Sequence, residues 1–255
     1  MCKFFSFCSD EGKPLFFNAE QRKKILENIG EFENLTSDSH TSIAHYYGYL
    51  GEREDLLGKY EYNPLTKQFT VDHVGKIDNS KEMEQWVKNL DFKSIIPELI
   101  IKPIVNPFTI EPIKIRKEQI KLLKQWASVR DSVWKSVWNS VWNSVGDSIR
   151  DSVWDLIRNS IRDSVWDLVR DPVWASVWNS VKDPVWDLVW DSVKDPVWDS
   201  VWASVGAYCS SFFNIKFIYD FSSAIKLWEQ GLIPCTDGEF WYLISKNGIE
   251  WKGRV

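Results

Sequence analysis

Eighty consecutive residues, Ser128 to Ala207, restart every four without an insertion, from SVRD, SVWK and SVWN at one end to SVWA and SVGA at the other. Aligned on themselves, the twenty units hold Val or Ile at slot two throughout, Ser at slot one in fourteen, and Asp or Asn at slot four in sixteen. Slot three varies among Trp, Arg, Lys and Gly. So strict an internal period limits the architecture more than any other feature of the chain. An invariant β-branched position flanked by polar or variable ones has the character of a buried strand position between exposed ones.

An α-helix fits the step poorly. Four residues advance it by about 400°, so a valine stripe wanders about 40° per unit and leaves no lasting apolar seam. Pro172, Pro184 and Pro196 would each delete a helix hydrogen bond at a cost of about 3 kcal/mol. Gly146 lowers the propensity further. A second period points the same way: the three prolines lie 12 residues apart, as do Trp142, Trp154, Trp166, Trp178, Trp190 and Trp202. Arg158, Arg170, Lys182 and Lys194 form another such series. Three units per turn would stack each series in a column. The expected fold class is therefore mostly β, a three-sided β-solenoid with four residues per side and 12 per turn. Slot two would point inward, slot three outward, and slot four would serve the corner. A duplicated gene segment also leaves a 12-residue echo, as in SVKDPVWDLVWD beside SVKDPVWDSVWA. The columns persist where neighbouring units have diverged, which favours geometry.

On that geometry the six tryptophans form an outward aromatic strip, which marks a candidate surface for a protein partner or a second copy of the chain. The structural alternative is that stacked indoles merely shield one another. The column Arg158, Arg170, Lys182 and Lys194 lies beside slot-four acids and reads as a charge-balanced face. The array carries twelve acids against eight bases, and the whole chain −5, so a nucleic-acid partner is not expected. No segment approaches the ~20 apolar residues that span a bilayer, so no membrane partner is expected either. Cys2, Cys8, Cys209 and Cys235 are few and widely spaced, and no secretory leader precedes them, which suits a cytoplasmic setting.

Four segments follow from these patterns: an N-terminal α+β module over 1–112, a capping helix over 113–127, the solenoid over 128–207, and a C-terminal α+β capping module over 208–255. Solenoid ends need caps, and EPIKIRKEQIKLLKQW supplies one with Ile115, Ile120, Leu123 and Trp126 turned toward the rod. Upstream, MCKFFSF and PLFF predict two strands, NAEQRKKILENI a helix capped by Asn18, KYEYNPLTKQFTVDHV a hairpin and SKEMEQWVKNL a second helix. Downstream, FFNIKFIYD predicts a strand, SSAIKLWEQG a short helix closed by Gly231, and DGEFWYLISKNGIEWKG a hairpin turning at Asn247-Gly248.

Signals for chemistry are sparse. His40 and His45 sit five apart, a spacing that does not place both on one helix face, and with His73 they suit ordinary surface or packing roles; no metal or other cofactor is expected. The cysteines lack zinc spacing. Cys2 is the one candidate catalytic residue: removal of Met1 would leave an N-terminal thiol beside its own amine, the arrangement of an N-terminal-nucleophile hydrolase.

The opening MCKFFS, the DSH at 38–40 and the closing LWEQGLIPCTDGEFWYL resemble a group of tailed-phage and prophage proteins in which similar ends bracket a variable repeat array. The array is also similar in style to pentapeptide-repeat proteins, some of which imitate DNA and block topoisomerases, although its step is four residues. The resemblance implies a host-cell or virion location and assigns no residue a role. Together these features predict a non-enzymatic scaffold that binds protein, with an N-terminal-cysteine hydrolase and an acidic DNA mimic as the alternatives.

Overall fold

The computed structural model describes residues 4–30, 35, 39–145, 147–165 and 186–255. Two units are formed, each from several stretches of sequence: Met1–Pro103 with Ser140–Val153 and Phe212–Ile215, and Ile104–Asn139 with Trp154–Ser211 and Lys216–Val255.

In the first unit, FSFCSD forms β1 (Phe5–Asp10) and turns through Glu11 and Gly12 into β2 (Lys13–Leu15). Both turn residues take positive φ, 48° and 97°. That primed turn matches the twist of a hairpin and is the reason Gly follows Glu here. β3 (Gly58–Asn63) and β4 (Gln68–His73) complete an antiparallel sheet in the order β2-β1-β3-β4. Strand alternation sends Phe5, Phe7, Tyr60 and Tyr62 to one face. There Phe7 meets Trp86 of α3 (Ser80–Lys88) at 5.0 Å between ring centroids, and Phe5 meets Phe92 of α4 (Phe92–Ile95) at 5.2 Å. The opposite face carries Cys8 and Leu15 against Ile25 of α1 (Ala19–Glu27) and Ile43 and Ala44 of α2 (His40–Tyr46). Covered on both sides, β1 is buried almost without interruption, so FSFCS is not an alternating apolar and polar strand. A capping box starts α1: the Asn18 side chain accepts from the Gln21 N–H, and the Gln21 side chain accepts from the Asn18 N–H.

The second unit packs α5 (Lys117–Ala127) against α9 (Ser222–Glu229), and the C-terminal part of α8 (Trp186–Ser210) against the sheet β5-β6-β7. Those strands are Ile233–Thr236, Trp241–Ser245 and Gly248–Gly253. Tyr208 and Trp228 stack at 4.8 Å, and both hold Val105: its N–H donates to the Tyr208 hydroxyl, and its carbonyl accepts from the Trp228 indole. Leu123 and Trp126 of α5 are fully buried, whereas Ile115 and Ile120 are half-buried. The C-terminal hairpin forms, but its loop is Lys246-Asn247, and Gly248 opens β7 at a φ of 98°. FFNIKFIYD does not become a strand: only Phe213 makes a bridge, to Leu99, and Ile218 is 81% exposed.

The mostly-β solenoid is overturned. The structure is α+β, 48% helix against 19% strand, and the described part of the array is helical. Slot two is nevertheless the buried slot. Val133, Val137, Val141, Val145, Ile149, Val153, Ile157, Ile161, Val197, Val201 and Val205 are all within 7% of full burial. Helical backbone keeps the stripe by interrupting itself: a 3₁₀ turn at Arg130–Ser132, a π turn at Trp134–Trp138, then α6 (Asn139–Val145) and α7 (Asp147–Val165). In an α-turn the four-residue step over-rotates, whereas the wider i→i+5 turn holds more residues and under-rotates. The one π turn takes back part of the drift that argues against a helix. Longer α8 meets the drift differently, since Ser200, Val201, Ala203, Ser204, Val205, Ala207 and Tyr208 are buried around its circumference. Pro196 lies inside α8. It removes a single N–H···O=C bond, and the apolar burial of Val197, Val201 and Val205 on the following turns offsets that loss.

Within the described helices the predicted 12-residue columns do not form. Twelve residues advance an α-helix by about 1200°, which leaves successive members of a 12-residue series about 120° apart around the axis. Slot four instead becomes the solvent side: Asp131, Lys135, Asn139, Asn143, Asp155, Asn159 and Asp199 are exposed. In the last two units the slot is buried, and there the sequence reads Ala203 and Ala207. Gly206 follows the same logic, because a Cβ at that position would come within 2.9 Å of Val133 Cγ1. Slot-one serines also acquire a task at this end. The Ser204 hydroxyl donates to the Pro234 carbonyl, and the Ser200 hydroxyl accepts from the Thr236 N–H, both at 3.0 Å, so α8 is fastened to β5.

Candidate functional site

The densest group of polar side chains with ligand chemistry lies on the α2-covered face of the first sheet. Glu61 sits mid-strand in β3, opposite Ser6 of β1 and Thr70 of β4. Asp72, two residues beyond Thr70, returns to the same face. His40 is the first residue of α2, whose N-cap Ser39 accepts from the Ser42 N–H. A ring nitrogen of His40 and one oxygen from each of Glu61 and Asp72 lie within 4.8 Å of one another. Glu61 is 5% exposed, and the His40 and Asp72 side chains are 13% and 38% exposed, so the group opens to solvent on the Asp72 side.

Hydrogen bonding fixes one end of the imidazole. His40 Nε2 lies 2.9 Å from the Tyr60 carbonyl, which can only accept, so Nε2 carries a proton. Nδ1 is the nitrogen that faces the Asp72 carboxylate, at 3.8 Å. Backbone anchoring of one ring nitrogen with the other turned to a carboxylate cluster is the arrangement used by histidines that ligate metals. Ser6 is fully buried, and its Oγ has no hydrogen-bond partner.

Beside this group Lys59 donates to Glu54 at 2.7 Å, and Thr41 donates to the same oxygen at 3.2 Å. The Lys59 hydrogen bond holds the Glu54 carboxyl below its ordinary range, against the opposing effect of burial. Cys8, Cys209 and Cys235 are buried. Burial pushes the Cys209 and Cys235 thiols well above their ordinary range, which leaves them unreactive at neutral pH. Cys2 lies outside the described residues. Histidine spacing alone carried no metal signal; strand pairing in three dimensions brings the two carboxylates to His40.

The array residues singled out from sequence fall in several places. Trp154 and Trp202 are half-buried and meet at 6.0 Å between ring centroids, and Trp138 packs edge-on against Trp154 at 5.6 Å. Trp142 lies in α6, and Trp190 and Lys194 lie in α8. Arg158 is exposed on α7, 3.9 Å from Asp155. Trp166, Trp178, Arg170 and Lys182 lie outside the described residues. The first unit also has a cleft of about 480 Å³ in which Asn143, Ser144 and Ile149 of the array face Arg22, Lys23 and Leu26 of α1. Among the described residues, no helix is long and apolar enough to cross a membrane.

No protein-family model, curated protein or solved structure matches the chain.

Proposed function

We propose that the chain is a non-enzymatic repeat scaffold, of the tailed-phage kind that its two ends resemble, and that it binds protein along its array. The observation that carries this reading is the slot-four series. Within the second unit Asp131, Asn139, Asp155, Asn159 and Asp199 are exposed, and the polar residue is replaced by Ala at buried positions 203 and 207. A face that repeats one kind of side chain offers the same contact many times, and many weak contacts sum to a firm one when the partner's groups repeat in step. Excess acid over base on the array, twelve against eight, selects a partner surface bearing Lys or Arg. It also disfavours the face-to-face pairing of two copies.

The test is co-purification from the producing cells, followed by light scattering of the recovered complex. Asp131→Lys, Asp155→Lys and Asp199→Lys combined should abolish the complex and leave the circular-dichroism spectrum unchanged. A complex that survives the triple substitution removes slot four as the binding face.

A further inference from the structure

Three features of the first unit converge on the His40 cluster. Proton placement comes first. With Nε2 committed to the Tyr60 carbonyl, the Nδ1 of a neutral His40 is a lone pair, and it faces the Asp72 carboxylate at 3.8 Å. A cation seated between them would be bonded by both. Geometry comes second. Ligand atoms bonded at ~2.0–2.2 Å to one ion stand about 3–4 Å apart. The His40–Asp72 spacing of 3.8 Å already lies in that range, and the 4.8 Å limit on the whole group leaves about an ångström of side-chain closure.

Ser6 is the third feature, and it is independent of the ligands. Its side chain is 0% exposed and its Oγ has no partner, on the same face as Glu61 and directly opposite it. Buried hydroxyls are rarely left so. A water on an ion held by Glu61 would supply the missing bond. One imidazole and two carboxylates make a donor set of borderline softness, suited to first-row divalent ions and poor for Mg²⁺ or Ca²⁺, which prefer oxygen alone.

We infer that His40, through Nδ1, with Glu61 and Asp72 binds one first-row divalent cation, the remaining coordination positions being filled by water on the Asp72 side. This site belongs to the N-terminal sheet and stands or falls independently of the array's partner.

Equilibrium dialysis of the chelator-stripped full-length chain against Zn²⁺ alone, and separately Mn²⁺ alone, measures it. One ion per chain is expected, with affinity lowered at least tenfold by His40→Ala and by Asp72→Asn, and unchanged by His45→Ala. Asp72 is part-exposed, so Asp72→Asn should keep the wild-type circular-dichroism spectrum and separate loss of binding from loss of fold. Bound Co²⁺ should show a visible spectrum that His40→Ala abolishes. Absence of a bound ion in the folded wild-type chain overturns the inference. So does binding that both substitutions leave intact, because that binding belongs to the carboxylates of the array.

Discussion

β1 and α7 are both dictated by a repeating apolar position, and they reach a buried core by different routes. In β1 the period of two is the period of the strand itself, so Phe5 and Phe7 share one face and Ser6 and Cys8 the other. In α7 the sequence period is four while the helix has 3.6 residues per turn, so the stripe Ile149, Val153, Ile157 and Ile161 drifts about 40° per unit and is buried along its whole length all the same. A pattern that matches its backbone specifies structure locally. One that mismatches it needs breaks, π turns or an enclosing environment, and these are supplied by the rest of the chain.

The sharpest way to break this comparison is to restore the repeat where the structure departs from it. Ala203→Asp restores the commonest slot-four residue of the array, yet places a carboxylate at a position 3% exposed. It should cost about 4 kcal/mol in urea unfolding, as an unpaired buried charge does. A repeat-only view of the array expects no loss. Next in size, Ile157→Ala at buried slot two should cost about 3 kcal/mol, through lost burial and the cavity left behind. Asp155→Ala, two residues earlier at exposed slot four, should change stability by less than about 0.5 kcal/mol. Equal effects at the two positions would refute the assignment of inner and outer slots.

A smaller effect than that of Ile157→Ala probes the sheet side. Glu54 has its folded pKa depressed by Lys59, so its contribution is present above the unfolded value of about 4.3 and is lost as pH falls through the lower folded value. Glu54→Gln should therefore lower stability by about 1 kcal/mol or less at pH 7. The difference from wild type should close as the pH drops below the ordinary glutamate range. A difference that persists to pH 2 would show that packing, and not the ion pair, holds this corner.

What the sequence discloses follows the same divide. The Asn18 cap and the C-terminal hairpin rest on contacts within a few residues; the cap forms where its residues predict, and the hairpin turns one residue early, at Lys246-Asn247. β5 escaped notice because Ile233-Pro-Cys is short and contains a proline, and it exists through β6 on one side and the α8 serines on the other. FFNIKFIYD has strand composition but finds only the Glu98–Ile100 backbone to pair with, at Phe212 and Asn214. For the array, prolines and drift were weighed against a helix one residue at a time. Burial of the described slot-two residues from Val133 to Ile161 and from Val197 to Val205 decides the outcome, and no single unit contains that information. Ala203, Ala207 and Gly206 were the legible clue, three departures from the repeat clustered where the helix is enclosed. His40, Glu61 and Asp72 lie 21 and 11 residues apart on a helix and two strands, so no spacing motif could announce them.

The backbone of the array is the central claim, and ¹³Cα chemical shifts of residues 147–165 in the full-length chain test it most directly. A continuous downfield displacement from random-coil values across Asp147–Val165 is the result that this structure predicts. Upfield displacements recurring every four residues, with corner-like values at slot four, would restore the strand-and-corner geometry and contradict the helical account.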